Sequence, residues 1–401
     1  MTDGFMTDII TVVRSAVKNE NGVLSSDCDL KKISRILRGH NLAAIALEGA
    51  LLCGADKKDE AILRLKKTAC TYLIYHEYQL KAVKELTESF QDNKVDFMPL
   101  KGTVLKELYP HPEWRTMTDA DILIRPSQYD KISAILTSMG YTPGEESDHE
   151  YNWYKGNFHL ELHKFLIPSY NEDYFAYYGD GWSKAKKSEG SCYVMNKEDI
   201  LIYMFTHFAK HYRDGGIGIK HLTDLYFLTR AEDIDKAYVE NELEKLGLSE
   251  FYGNILKVIS CWFEDGTFDE KSRFISERII CSGSFGSAEK NELSSALRDA
   301  QKSGSSKKAV TDKKIGLFFP SAEDMKNKYP VLRKLPFLLL PLFWLYRIIC
   351  ALPEYKKHKT KITNVGKLNE ADVESYEENL AYVGLSFSFD KTNSESKGSE
   401  K

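Results

Sequence analysis

Asp119 and Asp121 stand one residue apart at the head of the apolar run Ile122-Leu123-Ile124. Residues i and i+2 of a strand share a face, so a strand here aims both acids the same way. Like charges on one face repel, and a cation, a hydrogen-bond network or a solvated edge must offset that repulsion. The surrounding fold must therefore bury one sheet face and leave the other open to ions or polar partners.

Two neighbouring segments sharpen this reading. Leu100-Lys101-Gly102-Thr103-Val104-Leu105 reads as a strand end turning into a short helix. Gly102 permits a tight turn and close backbone approach. Thr103 can cap the helix or bond a phosphate oxygen, since a helix start suits phosphate. Alone, the step is an ordinary strand-to-helix turn. In Phe158-His159-Leu160-Glu161-Leu162-His163, alternation puts His159, Glu161 and His163 on one face. Glu161 would complete a three-acid metal cluster with Asp119 and Asp121. The two histidines raise a rival, a transition-metal site, although histidines on a polar strand face more often serve as hydrogen-bond partners.

The rest of the chain reads as mostly helical. Ala61 to Phe90 has apolar residues at 3- and 4-spacings and no Gly or Pro, which predicts one long helix. Strands are expected over 95–100, 120–124, 152–154 and 157–164, and helices over 103–109 and 127–139. This is a small mixed sheet with helices on one face. Beyond it, helices are expected over 199–212, 220–229, 271–281 and 289–301, with a flexible linker at 303–308. The expected organisation is an N-terminal helical region (1–90), a core (91–195), a helical substrate-binding region (196–302), a C-terminal helical module (303–355) and a partly disordered polar tail (356–401). The fold class is α+β, a small mixed-sheet core embedded in N- and C-terminal helical regions.

The net charge of −4 gives no global basic footprint, so bulk nucleic-acid binding is disfavoured. The seven cysteines include no C-x-x-C pair, which suits reduced thiols in a cytoplasmic protein. The first residues carry early acids and no long apolar core, so no secretory signal is expected. Residues 335–352 read LPFLLLPLFWLYRIICAL and are followed by Lys356, Lys357, Lys359 and Lys361. Pro336, Pro341 and Arg347 argue against a membrane span, and a buried helix is the plainer expectation. Peripheral membrane contact through 335–361 is the alternative.

No Walker-type loop, dinucleotide fingerprint, H-E-x-x-H or G-x-S-x-G is present. Gly215-Gly216-Ile217-Gly218 lies between predicted helices, without the strand such a fingerprint needs. The ordered set of motifs does resemble one group of enzymes. Gly102-Thr103, Asp119-x-Asp121 and Glu161 are similar to the DNA polymerase beta-type nucleotidyltransferase superfamily. The resemblance is strongest to a bacterial family of uncharacterised nucleotidyltransferases. It runs through Leu100-Lys101-Gly102, Tyr109-Pro110, Arg115, Asp119-Ala120-Asp121, Glu161-Leu162-His163, His207-Phe208-Ala209-Lys210-His211, Asp224-Leu225 and the module from Phe319 to Arg347. Thr103 departs from the usual Ser or Gly, and the turn before Asp119 is longer than in minimal members.

The resemblance implies transfer of a nucleoside monophosphate from a nucleoside triphosphate to a hydroxyl acceptor, a small molecule or a protein. It implies two Mg²⁺ ions (or Mn²⁺) about 4 Å apart, held by Asp119, Asp121 and Glu161. Gly102 and Thr103 would hold phosphates, with Lys101, Arg115 and Lys220 as further nucleotide contacts. His163, His207, His211 and Asp224 would line the substrate cleft, although structural hydrogen bonding is an equal expectation for the helical ones. The alternative function is a non-catalytic nucleotide-binding or interaction protein that retains the fold. A membrane-associated enzyme of cell-envelope glycan modification is a third expectation.

Overall fold

The structure, a computed structural model, describes residues 2–283, 286, 288–351 and 355–387. Contacts divide the described chain into two compact units, one of residues 2–210 with 217–283, the other of 211–216 with 286–387.

The first unit opens with α1 Asp3–Lys18, α2 Leu30–Gly39, α3 Ala43–Leu52 and α4 Glu60–Asp92. Local chemistry sets their limits. Asn19 ends α1 in the left-handed region, a conformation asparagine tolerates. Asp29 and Asp59 accept from backbone N–H groups at the starts of α2 and α4, satisfying donors that have no partner inside the helix.

Next comes the sheet, built from β1 Phe97–Pro99, β2 Ala120–Ile124, β3 Thr142–Glu146, β4 Glu150–Lys155 and β5 Phe158–His163. Its spatial order is β1-β2-β5-β4-β3. β2 and β5 run parallel, and the other pairs are antiparallel. Between them lie α5 Gly102–Leu105 and α6 Tyr129–Ser138. Gly156, in the β4–β5 turn, takes a positive φ of 57° that favours glycine. Ala120, Ile122 and Ile124 of β2 pack with Phe158, Leu160 and Leu162 of β5 beneath Ala82, Leu86 and Phe90 of α4 and Ile132 and Leu136 of α6. Each large apolar side chain buried there contributes about 1.5–3 kcal/mol relative to exposure. One face of the sheet is thus sealed by helices, and the acids project from the other.

The five-stranded mixed sheet among flanking helices makes the fold α+β. β2 matches its expected limits, and β4 extends the expected 152–154 at both ends. β3 has no counterpart in the expectation: TPGEE has no buried position, and the strand is exposed throughout.

After the sheet come α7 Glu172–Tyr178, the short hairpin of β6 Lys186–Lys187 with β7 Tyr193–Val194, then α8 Lys197–Asp214, α9 Ile219–Thr229, α10 Lys236–Lys245, α11 Ser249–Phe263 and α12 Glu270–Ser282. α8 passes into the second unit at His211.

The second unit holds α13 Ala288–Ser303, α14 Ser306–Phe318, α15 Ala322–Lys328, α16 Leu340–Ala351, α17 Tyr355–Lys367 and α18 Glu370–Tyr382. The linker expected at 303–308 shrinks to a turn around Gly304 at φ 70°, because Ser305 caps α14 by accepting from the Lys308 N–H at 3.2 Å. Within the stretch read as a polar tail, α17, α18 and the turn between them bury Val365, Leu368, Val373 and Leu380. The tail beyond residue 387 lies outside the described residues.

Candidate active site

The parallel register of β2 and β5 sets Asp121 opposite Glu161 and Leu123 opposite His163. Asp119, just before β2, is half-buried beside them. Three carboxylates therefore converge on the sheet face that the helices α4 and α6 leave uncovered.

Asp121 is the most tightly held. Its Oδ1 accepts from Lys101 Nζ at 2.7 Å and from His163 Nε2 at 2.8 Å. Burial alone would raise its proton affinity, but Lys101 and His163 hold the carboxyl well below the usual range. The reciprocal effect keeps Lys101 charged: burial opposes its charge, and Asp121 together with Tyr203, Glu161 and Asp119 outweighs burial. Burial and Lys101 also push His163 toward neutrality, yet its hydrogen bonds to Asp121 and Glu161 leave its proton affinity raised. Burial, together with the charges of Asp121 and Glu161, pushes the Asp119 carboxyl up to about 6. Lys101 and Lys220 draw it down, but they do not prevail.

Lys101 sits where β1 meets α5, at φ 46° and ψ −122°, a conformation that L residues rarely adopt. The contortion delivers its ammonium to Asp121. Gly102 follows, and a Cβ there would lie 2.6 Å from Met117 Cγ, so this helix start is packed directly against the turn that leads into Asp119. Thr103 Oγ1 is buried with no hydrogen-bond partner among the described residues. A buried hydroxyl without a partner is costly, and a ligand oxygen would satisfy it.

A second polar layer adjoins the first. Asp224 of α9 accepts from Arg115 Nε and Tyr109 OH, each at 2.6 Å. Lys220, one turn earlier on α9, is buried and pulled down to about 8 by burial and by the Arg115 charge, against the opposing pull of Asp224, Asp119 and Asp121. His207 of α8 lies with its ring 6.2 Å from that of His221. His211 falls in the second compact unit.

Several contributors are not apparent from sequence. Tyr109 belongs to the Tyr-Pro turn, but its bond to Asp224 spans 115 positions. Lys106, almost wholly buried, places Nζ 3.1 Å from His76 Nδ1 and is pulled down to about 8 by burial and Arg115. A cleft of about 250 Å³ is lined by Tyr72, Tyr75, His76, Gln79, Arg115 and Thr118, next to Asp119. The aromatic periodicity of α4 was a usable signal for the two tyrosines, but helical spacing alone assigns such rings to packing.

The donor set suits a divalent cation. Ligand atoms of Asp119, His159 and Glu161 lie within 4.8 Å of one another, as do those of Asp121, Glu161 and His163. A third such group, His149, Glu150 and His163, extends the cluster along β4. Carboxylate oxygens fit Mg²⁺ and Mn²⁺, and the adjoining imidazoles also admit Zn²⁺.

Comparison with known proteins agrees with this arrangement. Residues 26–264 match the model of a family described as uncharacterised nucleotidyltransferase. No curated protein matches the chain, and no solved structure does. The matched span covers more than half of the 401 residues, and it contains the whole sheet, the three acids and α9. The chain belongs to the uncharacterised nucleotidyltransferase family.

Proposed function

We propose that the protein is a metal-dependent nucleotidyltransferase of the DNA polymerase beta type, moving a nucleoside monophosphate from a nucleoside triphosphate to a hydroxyl acceptor. The observation that carries the reading is the pairing of Asp121 with Glu161 across parallel strands, with Asp119 beside them, in a chain of this family. Asp119, Asp121 and Glu161 would hold the divalent cation, which when bound offsets triphosphate charge and orients the reacting oxygens.

The acceptor oxygen bonds to the α-phosphorus, the bond to the β-phosphate oxygen breaks, and pyrophosphate leaves. The hydroxyl proton passes to Glu161, whose two oxygens lie 4.0 Å from His159 Nε2 and 3.5 Å from His163 Nε2. Lys101, Arg115 and Lys220 supply positive charge to the triphosphate. The Thr103 hydroxyl donates to a phosphate oxygen. The cleft of Tyr72, Tyr75 and Gln79 offers aromatic faces and an amide to the base or to the acceptor.

Calorimetry with the four α,β-methylene nucleoside triphosphates and Mg²⁺, on wild type and on Asp119→Ala/Asp121→Ala, tests this. Micromolar binding of one nucleotide that the double variant loses is the expected result. Absence of binding to all four defeats the reading. A second reading, a nucleotide-binding protein without transfer chemistry, is favoured by one fact: Lys101 and His163 already neutralise Asp121. Binding that needs neither Mg²⁺ nor the two aspartates would support it.

A further inference from the structure

The second compact unit presents an inverted helix. In α16, Phe343, Trp344 and Arg347 turn inward, where Trp344 Nε1 donates to Pro320 O at 3.0 Å and Arg347 Nη1 to Leu317 O at 3.1 Å. Phe343 and Trp344 pack against the small core of Met325, Leu332 and Leu340. The outward face is apolar: Leu342, Leu345, Tyr346 and Ile349 are 61%, 56%, 54% and 54% exposed. Their spacing of i, i+3, i+4 and i+7 makes one continuous stripe. Leu338, at 86% exposure, and Phe318, Phe319 and Val331 of the same unit are exposed as well. Contiguous exposed apolar surface of this kind marks an interaction site.

The charge of the same segment identifies the occupant. Residues 306–367 carry fourteen Lys and Arg against four Asp and Glu, a net +10, in a chain whose total is −4. The remainder is therefore at −14. Lys328 lies at the margin of the stripe, its Nζ 5.9 Å from the Tyr329 ring, which in turn meets Tyr346. An apolar stripe within a strongly basic segment complements a layer whose interior is hydrocarbon and whose surface is anionic. At twelve residues, α16 is about 18 Å long, too short for a hydrocarbon core of about 30 Å. Among the described residues no helix is long and apolar enough to cross a membrane.

We propose that this face docks on an anionic lipid bilayer, with α16 lying in the plane of the interface and exposed lysines of the segment, Lys328 and Lys359 among them, at the headgroups. The proposal stands independently of the nucleotidyl-transfer reading.

Flotation of the full chain with extruded vesicles tests it. One set is pure phosphatidylcholine; the other is an equal mixture of phosphatidylcholine and phosphatidylglycerol. The wild type is expected to float with the mixed vesicles only, and to be released as salt rises. Leu342→Ser/Leu345→Ser/Ile349→Ser, at exposed positions, is expected to keep its circular dichroism and melting temperature and to lose at least ~10-fold in vesicle affinity. Lys328→Glu/Lys359→Glu should weaken binding to the mixed vesicles in low salt. Failure of the wild type to float, or equal flotation by the triple Ser variant, overturns the proposal. So does a wild-type dimer, measured by light scattering, that ignores vesicles and becomes a monomer in the triple variant, because the stripe then belongs to a second copy of the chain.

Discussion

Arg115 Nε donates to Asp224 Oδ1 at 2.6 Å across 109 positions of sequence, and both side chains are almost entirely buried. The bond ties the turn leading into Asp119 to α9, which carries Lys220. Removing one member strands a charge in the interior, at a cost of about 3–5 kcal/mol, whereas replacing both by apolar groups is often nearly neutral. Asp224→Leu and Arg115→Met are each expected to lose about 3–5 kcal/mol in urea denaturation, and the double variant clearly less than their sum. Simple additivity would show that the pair is not coupled.

His163 positions Asp121 rather than touching substrate in the proposed scheme. It is expected to act on cation affinity, where outer hydrogen-bond partners of metal ligands are worth about 10–100-fold. His163→Ala should weaken Mn²⁺ binding by that factor, read by electron paramagnetic resonance, and shift the Mg²⁺ dependence of nucleotide binding. An unchanged Mn²⁺ affinity would leave His163 with a packing role alone.

His40 supplies a pH dependence remote from the acids. Its Nδ1 accepts from the Ile219 N–H at 3.1 Å, so the ring proton sits on Nε2 and is donated to Ile280 O at 2.9 Å. Burial lowers its proton affinity below the ordinary 6.5, partly countered by the Ile280 bond. The unfolded chain therefore binds the proton more readily. The His40 contribution is complete above about 6.5 and is lost as pH falls below that value toward the lowered folded one, with a limiting slope of about 1.4 kcal/mol per pH unit. Urea midpoints from pH 7.5 to 5 should fall for the wild type and fall less steeply for His40→Asn. Parallel curves would remove His40 from the account.

Gly102→Ala places a methyl 2.6 Å from Met117 Cγ and 2.8 Å from its Sδ. Overpacking of this kind costs about 1–3 kcal/mol. Met117→Ala, made in the same chain, opens that space, so the double variant is expected to recover much of the loss in thermal melts. If Met117→Ala brings no recovery, the glycine is needed for its backbone and not for the contact.

Strand limits were most legible where one face of an element is sealed. In β2 and β5 every second side chain enters the core beneath α4 and α6, and such alternation is written locally. β3 left no trace because all its positions are exposed. That Asp119, Asp121 and Glu161 share a sheet face was legible because two sit in one strand motif and the third on a strictly alternating strand. Tyr109, Lys106 with His76, and His40 were not legible. Their partners lie between 30 and 240 positions away, and no periodicity connects residues that meet only after the chain has folded. The outward stripe of α16 was hidden for a related reason. LPFLLLPLFWLYRIICAL is apolar on nearly every side, so composition alone does not tell which side faces out.

The backbone at Lys101 has a further implication. Its φ of 46° and ψ of −122° suit glycine, and relief of such strain is worth about 1–3 kcal/mol. A residue without a side chain would make the turn easier to form and leave Asp121 without its ammonium. Robustness and charge placement therefore pull this one position in opposite directions. If every amino acid were tried at 101, glycine should rank near the top for thermal tolerance and lysine for nucleotide handling. The divergence between the two rankings would measure how much stability the chain forgoes to keep a cation at that spot.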